Sequence, residues 1–500
     1  MEKHGFILSI DQGTSGTRSS LVDSSGVIVG SAYQEITQYF PSPGWVEHDP
    51  EELFQSVLET IENLLDEFEV APENIRSIGI TNQRETTLIW DRRTGKPIYN
   101  AIVWQCRRST YICEEYKEMG LNDKIQRVTG LTADPYFCAS KISWLLENVT
   151  GARELAREGI LAFGTVDSWL IWNLTNGLRH ITDYTNASRT MLFDIRLGKW
   201  SEELAEAMDI PLSLLPEVVP SSGSLAEVGG NYFGGKPITI TGIAGDQQSS
   251  LFGQACFNEG MAKTTYGTGA FILANLGKSP LQSQNGLLTT IAWNLNGKST
   301  YALEGGVFSA GATIQWLRDE LGIIESSEES ETLANNVEDN GGVYFVPAFS
   351  GLGAPYWDPR ARGSVSGISR GTGASHIARA ALESIAFQCE DVFRVMQNDM
   401  KRDINVLRVD GGATENNLLM QFQADISDID IQRSLDAETT SLGVAYLAGL
   451  GGDFWNSTDE IASLWLPGNT WKPDMLPSVR KKLSNDWSRA VSRATEWIED

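Results

Sequence analysis

Phe6-Ile7-Leu8-Ser9-Ile10-Asp11-Gln12-Gly13-Thr14-Ser15-Gly16-Thr17-Arg18-Ser19-Ser20-Leu21-Val22-Asp23 is the stretch from which the fold can be read. Residues 7–10 form a short apolar run of the kind that makes a buried strand. A polar Gly-rich turn follows. Residues 19–23 and 26–30 then read as a hairpin turned by Ser24-Ser25-Gly26. The glycines of the first turn let backbone amides face an anion, and the Thr and Ser hydroxyls add donors, so the turn suits phosphate. It is not a Walker loop, because Gly-Lys-Ser/Thr is missing. A plain hairpin turn would explain the same string. Asp11 at the strand's end is harder to account for that way, since a carboxylate beside phosphate is repelled unless a cation such as Mg²⁺ lies between them.

Working outward, residues 53–68 carry apolar residues at helical spacing and residues 75–80 read as another strand, so strands and amphipathic helices alternate as in layered α/β domains. An echo follows residue 254: residues 261–266 read as a strand, Gly267-Thr268-Gly269 as its turn, and residues 270–276 as the return. Strand, Gly-Thr turn, strand near the start of each half predicts duplicated lobes, 1–253 and 254–500. The acidic stretch 325–340 reads as an exposed helix and loop.

The chain has 500 residues, more than one core organises, which also favours two domains. Lys and Arg number 39 against 65 Asp and Glu, a net charge of −26 that argues against nucleic acid or an anionic membrane as partner. The opening Met1-Glu2-Lys3-His4-Gly5 leads straight into the first strand, and no apolar run reaches signal-peptide or transmembrane length. Five unclustered cysteines, Cys106, Cys113, Cys138, Cys256 and Cys389, read as reduced thiols of a cytoplasmic enzyme. With four scattered histidines, a His-based metal site is not expected.

Three more strand ends carry chemistry. After residues 237–243 comes Ala244-Gly245-Asp246-Gln247-Gln248, where Asp246 is either a helix N-cap or a functional carboxylate. Two such aspartates beside Gly-rich turns favour a metal and a base. Thr81-Asn82-Gln83-Arg84-Glu85-Thr86-Thr87 places a fork of donors beside two acceptors, which suits vicinal hydroxyls, or else makes a plain ion pair. Trp104-Gln105-Cys106-Arg107-Arg108 and Asp134-Pro135-Tyr136-Phe137 add aromatic faces for polyol carbons. Val409-Asp410-Gly411-Gly412, opening towards Ala413-Thr414-Glu415-Asn416-Asn417, can meet a nucleotide through backbone amides.

Together with Tyr266-Gly267-Thr268-Gly269, Gly351 to Asp358 and the segment 363–383, these motifs resemble the FGGY carbohydrate kinase family over most of the chain. Among its members they are most similar to the branch acting on glycerol. The resemblance implies two ribonuclease-H-like lobes of the actin and hexokinase superfamily around an interlobe cleft, use of ATP and Mg²⁺, and assembly into dimers or tetramers. It implies Arg84, Glu85, Tyr136, Asp246 and Gln247 as glycerol ligands, with Trp104 and Phe271 as apolar walls. Thr14, Ser15, Gly16 and Arg18 would be phosphate contacts; Thr268, Gly311, Gln315, Gly412 and Asn416 would be nucleotide contacts. Asp11 would organise Mg²⁺ with Asp246, the general base. One departure is Cys138, where the family pattern has Ser, Thr or Pro. Kinases of a pentulose, erythritol or gluconate are the nearest alternative, and an actin-like ATPase without a polyol pocket is the more distant one.

Overall fold

The computed structural model describes residues 5–498, so residues 1–4 of the opening stretch and the last two residues lie outside the description. The apolar run becomes β1 (Phe6–Gln12), buried on both faces and flanked by an antiparallel and a parallel neighbour. Its antiparallel partner is β2 (Gly16–Val22), followed by β3 (Ile28–Glu35), so the expected hairpin is there with both arms longer, the first starting earlier and the second running on further. Helix α1 (Pro50–Glu67) starts ahead of its apolar stripe, because Asp49 caps it by accepting from Glu51 N at 2.9 Å and Pro50 fits the first turn. Leu53, Val57, Ile61 and Leu64 face the sheet, and Thr17 and Ser19 of β2 bond the helix hydroxyls of Ser56 and Thr60 at 2.7 and 2.8 Å.

Among the described residues, thirteen strands form one mixed sheet through both lobes. The first half adds β4 (Ile75–Asn82), β5 (Ser222–Glu227) and β6 (Thr239–Gly245). The second contains β7 (Ala262–Tyr266), β8 (Ala270–Gly277), β9 (Leu288–Leu295), β10 (Lys298–Val307), β11 (Val406–Asp410), β12 (Asp430–Ser434) and β13 (Pro467–Trp471). In space the order is β13-β12-β11-β7-β8-β10-β9-β5-β6-β4-β1-β2-β3. The run β3-β2-β1-β4-β6 has two antiparallel then two parallel pairings, and β10-β8-β7-β11-β12 repeats that pattern. This is the duplicated, ribonuclease-H-like architecture expected. The halves meet at β5 and β9, which share the single register pair Ser222↔Leu295.

Two equivalent helices interlock the lobes: α3 (Asp246–Gly253) after β6 and α7 (Thr439–Gly451) after β12. Between them in sequence lie α4 (Gly311–Asp319), α5 (Ala374–Met400) and α6 (Asn417–Ser427). Helix α7 packs on first-lobe strands, so Leu442, Ala445, Leu447 and Ala448 share a core with Ile7, Val22 and Ala244. The helices cross where neither has a side chain: a Cβ on Gly253 would stand 2.0 Å from Thr439 O, and one on Gly443 1.8 Å from Ser249 O. The acidic stretch contains a short helix, Glu329–Ala334, but it is not wholly free: Asn340 is buried and bonds Glu383 at 2.8 Å.

Candidate active site

The carboxyl ends of the parallel strands converge at the junction of the lobes, where folds of this kind place ligands. At the end of β1, Gly13 N bonds Gly16 O at 2.9 Å and closes the turn holding Thr14 and Ser15. The next strand end braces it: Gln83 Nε2 donates to Gln12 Oε1 at 3.2 Å and to Gly13 O at 3.0 Å. Thr14 is tied to Trp104, whose indole N–H donates to its hydroxyl at 2.8 Å. Arg18 sits back from the turn, paired with Glu438 of the second lobe at 3.2 Å and lying over Tyr33.

Arg84, Glu85 and Tyr136 come together in the interior. Arg84 grips Glu304 with two bonds, 2.6 and 3.0 Å, and also donates to Gln248 Oε1 at 3.1 Å and Tyr136 Oη at 3.2 Å. Its Nε lies 3.3 Å from Asp246 Oδ1. The fork that the sequence points at hydroxyls therefore has protein partners on every nitrogen. Glu85 Oε1 takes Arg189 Nε at 2.5 Å, while among the described residues no bond is made to its other oxygen. Arg189 also donates to Glu304 at 2.8 Å, closing a buried ring of two arginines and two glutamates. Burial opposes the charge on Glu304, but Arg189 and Arg84 hold its carboxyl down at about 2.

Glu85 adopts a left-handed backbone, φ 61°, unusual for this residue type. Its carbonyl is held by Thr87 Oγ1 at 3.0 Å and by the thiol of Cys138 at 3.4 Å. Cys138 opens α2 (Cys138–Asn148), so the departure from the family pattern sits behind Glu85. Trp104 packs edge-on to Tyr136 and to Phe271, centroids 5.7 and 6.0 Å apart, which builds the expected apolar wall. A cavity of about 970 Å³ spans the lobes alongside, lined by Arg107, Asp134 and Pro135 from the first and Phe308 and Trp357 from the second. Asp246 and Thr268 are not in its lining.

Asp246 is the first residue of α3, not its cap: Gly245 takes the cap position and the carboxylate accepts from Gln247 N at 2.7 Å. Burial raises its pKa, opposed chiefly by Arg84. Asp11 is raised to about 7, first by burial and then by the facing Asp246. A carboxylate that raises its neighbour's affinity for a proton, as Asp246 does for Asp11, is also placed to share a cation with it. Among the described residues no cluster of three or more His, Cys, Asp or Glu could hold a metal by itself. That still fits Mg²⁺, which keeps several waters and takes one or two carboxylates along with substrate phosphates.

In the second lobe, the Gly267-Thr268-Gly269 turn is clamped to the start of α4 by Ala310 N and Ala312 N on Thr268 O, at 2.9 and 3.1 Å, and by Gly311 N on Gly267 O at 2.9 Å. Thr268 and Gly311 are thus joined. Gln315 lies exposed one turn further on. Gly412 and Asn416 share the turn after β11, where Asn416 caps α6 by accepting from Leu419 N at 2.9 Å. Asp410, just before them, faces inward instead and accepts from Ser250, Gln254 and Thr439 of the interlocking helices at 2.9, 2.8 and 2.5 Å.

Two matches account for this arrangement. Residues 6–253 match the N-terminal domain of the FGGY family of carbohydrate kinases, and residues 262–451 its C-terminal domain. The chain belongs to the FGGY family of carbohydrate kinases. It is 55% identical over 492 residues to a glycerol kinase of Carboxydothermus hydrogenoformans, covering 98% of each chain. It is 54% identical to glycerol kinase 2 of Thermotoga maritima, covering 98% of this chain and 99% of that one. Among solved structures, a glycerol kinase of Plasmodium falciparum with ADP superposes with a TM-score of 0.91 at 41% identity, covering 99% of each chain. On this FGGY scaffold, sequence reading missed Arg189, Gln248, Lys263 and Glu304. Lys263 carries a signal, a single charge inside a strand of apolar and threonine residues, and Glu304 another, an acidic residue following the apolar run Tyr301-Ala302-Leu303 of its strand. Arg189 and Gln248 lie in polar surroundings and carry none.

Proposed function

We propose that this FGGY kinase transfers the γ-phosphoryl group of ATP to glycerol, giving sn-glycerol 3-phosphate and ADP. The observation that carries the reading is the cluster of Tyr136, Glu85 and Asp246, with Arg84 holding two of them, against the Trp104 and Phe271 wall. Tyr136 Oη accepts from Arg84, so its own proton is left to donate to one polyol hydroxyl. The unbonded oxygen of Glu85 accepts from the neighbouring hydroxyl, and Arg84 lies alongside, sharing donors and setting the directions of Tyr136 and Asp246. The two rings cover the carbons. Asp246 accepts the proton of the terminal hydroxyl as the new bond to phosphorus forms, a role helped by its raised pKa.

Thr14, Ser15 and Gly16, with Arg18 in reach, face the transferring phosphoryl group from the first lobe. Thr268, Gly311, Gln315, Gly412 and Asn416 bind the rest of the nucleotide from the second. Asp11 and Asp246 would hold Mg²⁺, which neutralises charge on the phosphates. The five buried free cysteines support a reducing cytoplasmic setting, and among the described residues no helix is long and apolar enough to cross a membrane. The division at residue 253 and assembly into dimers or tetramers belong to the same proposal, the latter read by sedimentation. The functional test is ADP release from ATP with glycerol, erythritol, a pentulose or gluconate as acceptor. Release that depends on glycerol is expected; ADP released equally without any acceptor would favour the actin-like ATPase.

A further inference from the structure

Lys263 of β7 is fully buried, and none of the chemistry above uses it. Its ammonium donates to Gln247 Oε1 at 2.6 Å and to Thr265 Oγ1 at 2.7 Å. The charges around it come from four other elements: Asp410 of β11, Asp246 of α3 and Glu304 of β10 favour its charge, and Arg84 beyond β4 opposes it. An ammonium offers only donors. The Gln247 amide must therefore turn its oxygen to Lys263 and its amino group away, towards the Asp246 carboxylate on which that side chain bears.

Resting on the reading of Gln247 and Asp246 as polyol ligand and base, we propose that Lys263 is a positioning residue of the polyol site, fixing the Gln247 amide with its amino group towards Asp246 and the reacting hydroxyl. One N–H then steadies the Asp246 carboxylate. The second meets a lone pair of the hydroxyl, whose own proton is left pointing at Asp246. With the amide reversed, its carbonyl oxygen would oppose the carboxylate and leave the hydroxyl without that donor.

Steady-state kinetics of the full chain with glycerol and ATP test this on wild type, Lys263→Met, Gln247→Leu and the double variant. Each single change is expected to raise KM for glycerol about tenfold with KM for ATP unchanged. The double variant should be no worse than the worse single, because both remove one relay. Gln247→Glu keeps the test decisive if Lys263→Met does not fold. Its carboxylate pairs with Lys263 and preserves Tm, yet it presents an acceptor in place of the donor, so KM for glycerol should again rise about tenfold. Multiplying effects in the double variant, an equal rise in both KM values for Lys263→Met, or wild-type glycerol affinity in Gln247→Glu would each overturn the role of Lys263 while leaving the kinase reading intact. Wild type that releases no ADP in response to glycerol would overturn both.

Discussion

The two halves of the sheet share one strand order and one pattern of directions, yet the ends of equivalent strands bear unlike groups. In the first half, β1 carries Asp11 next to its last residue, β4 runs into Arg84 and Glu85, and β6 into Asp246. In the second, β7 ends in Gly267-Thr268-Gly269, β11 in Gly411-Gly412, and β12 leads to Glu438 at the start of α7. The first half presents the two carboxylates Asp11 and Asp246 and three of the four members of the buried ion ring, whose fourth, Glu304, reaches across from β10. The second presents backbone amides and a hydroxyl, its Glu438 being paired with Arg18. The scaffold thus decides where ligand groups can stand, and the residues at each strand end decide whether that place reacts a hydroxyl or cradles a phosphate.

The sharpest way to break this comparison is to neutralise the base. Asp246→Asn keeps its size but takes no proton, so turnover should fall by roughly 10²–10⁴ with glycerol affinity much less affected. Near-normal turnover would remove the chemical distinction between the halves.

The ion ring comes next. The Glu304 carboxyl lies at about 2 in the folded protein against 4.5 for the free group, so its contribution is complete above pH 4.5 and is lost as pH falls towards 2. Glu304→Gln should destabilise the protein by about 3 kcal/mol near neutrality. The gap in Tm between variant and wild type should close on acidification. A gap that stays constant with pH would mean the ring is held by packing alone.

A smaller effect is expected on the second side. Gly411 has φ 92°, and a Cβ there would stand 2.4 Å from Tyr266 O. Gly411→Ala should displace the turn and raise KM for ATP about tenfold without changing KM for glycerol. A matching rise for glycerol would show that the halves do not divide the two substrates. The smallest change is Glu438→Gln. Its pair with Arg18 is partly exposed, so about 1 kcal/mol or less is at stake and KM for ATP should barely move. A loss as large as that of Asp246→Asn would place a second essential carboxylate in the second half.

Much of this was legible in the sequence because strands with Gly-rich ends are local signals. Residues 7–10, the turn at Gly267 and the duplicated order needed no long-range information. The aromatic faces of Trp104 and Tyr136 could be read from their own motifs, whereas Phe271 followed from motif resemblance alone. What could not be read was which charges pair. Arg84 was seen as a fork for hydroxyls because its partner Glu304 is 220 residues away, in another lobe. Gln247 was seen as a ligand, but nothing local told that its amide oxygen is taken by Lys263 from the next strand. Strand ends are written in neighbouring residues; ion pairs across a sheet are written in the topology.

The crossing of α3 and α7 has a mechanical consequence. At Gly253 and Gly443 the two backbones touch with no side chain between them, so a small rotation of one lobe against the other requires no rotamer to change and opens no void at that point. The contact works as a plain bearing: smooth surfaces set the axis while the load is carried elsewhere, by Ser250, Gln254 and Thr439 on Asp410. A methyl group on either glycine would act as grit there, felt first in the rate of opening and closing and only afterwards in stability.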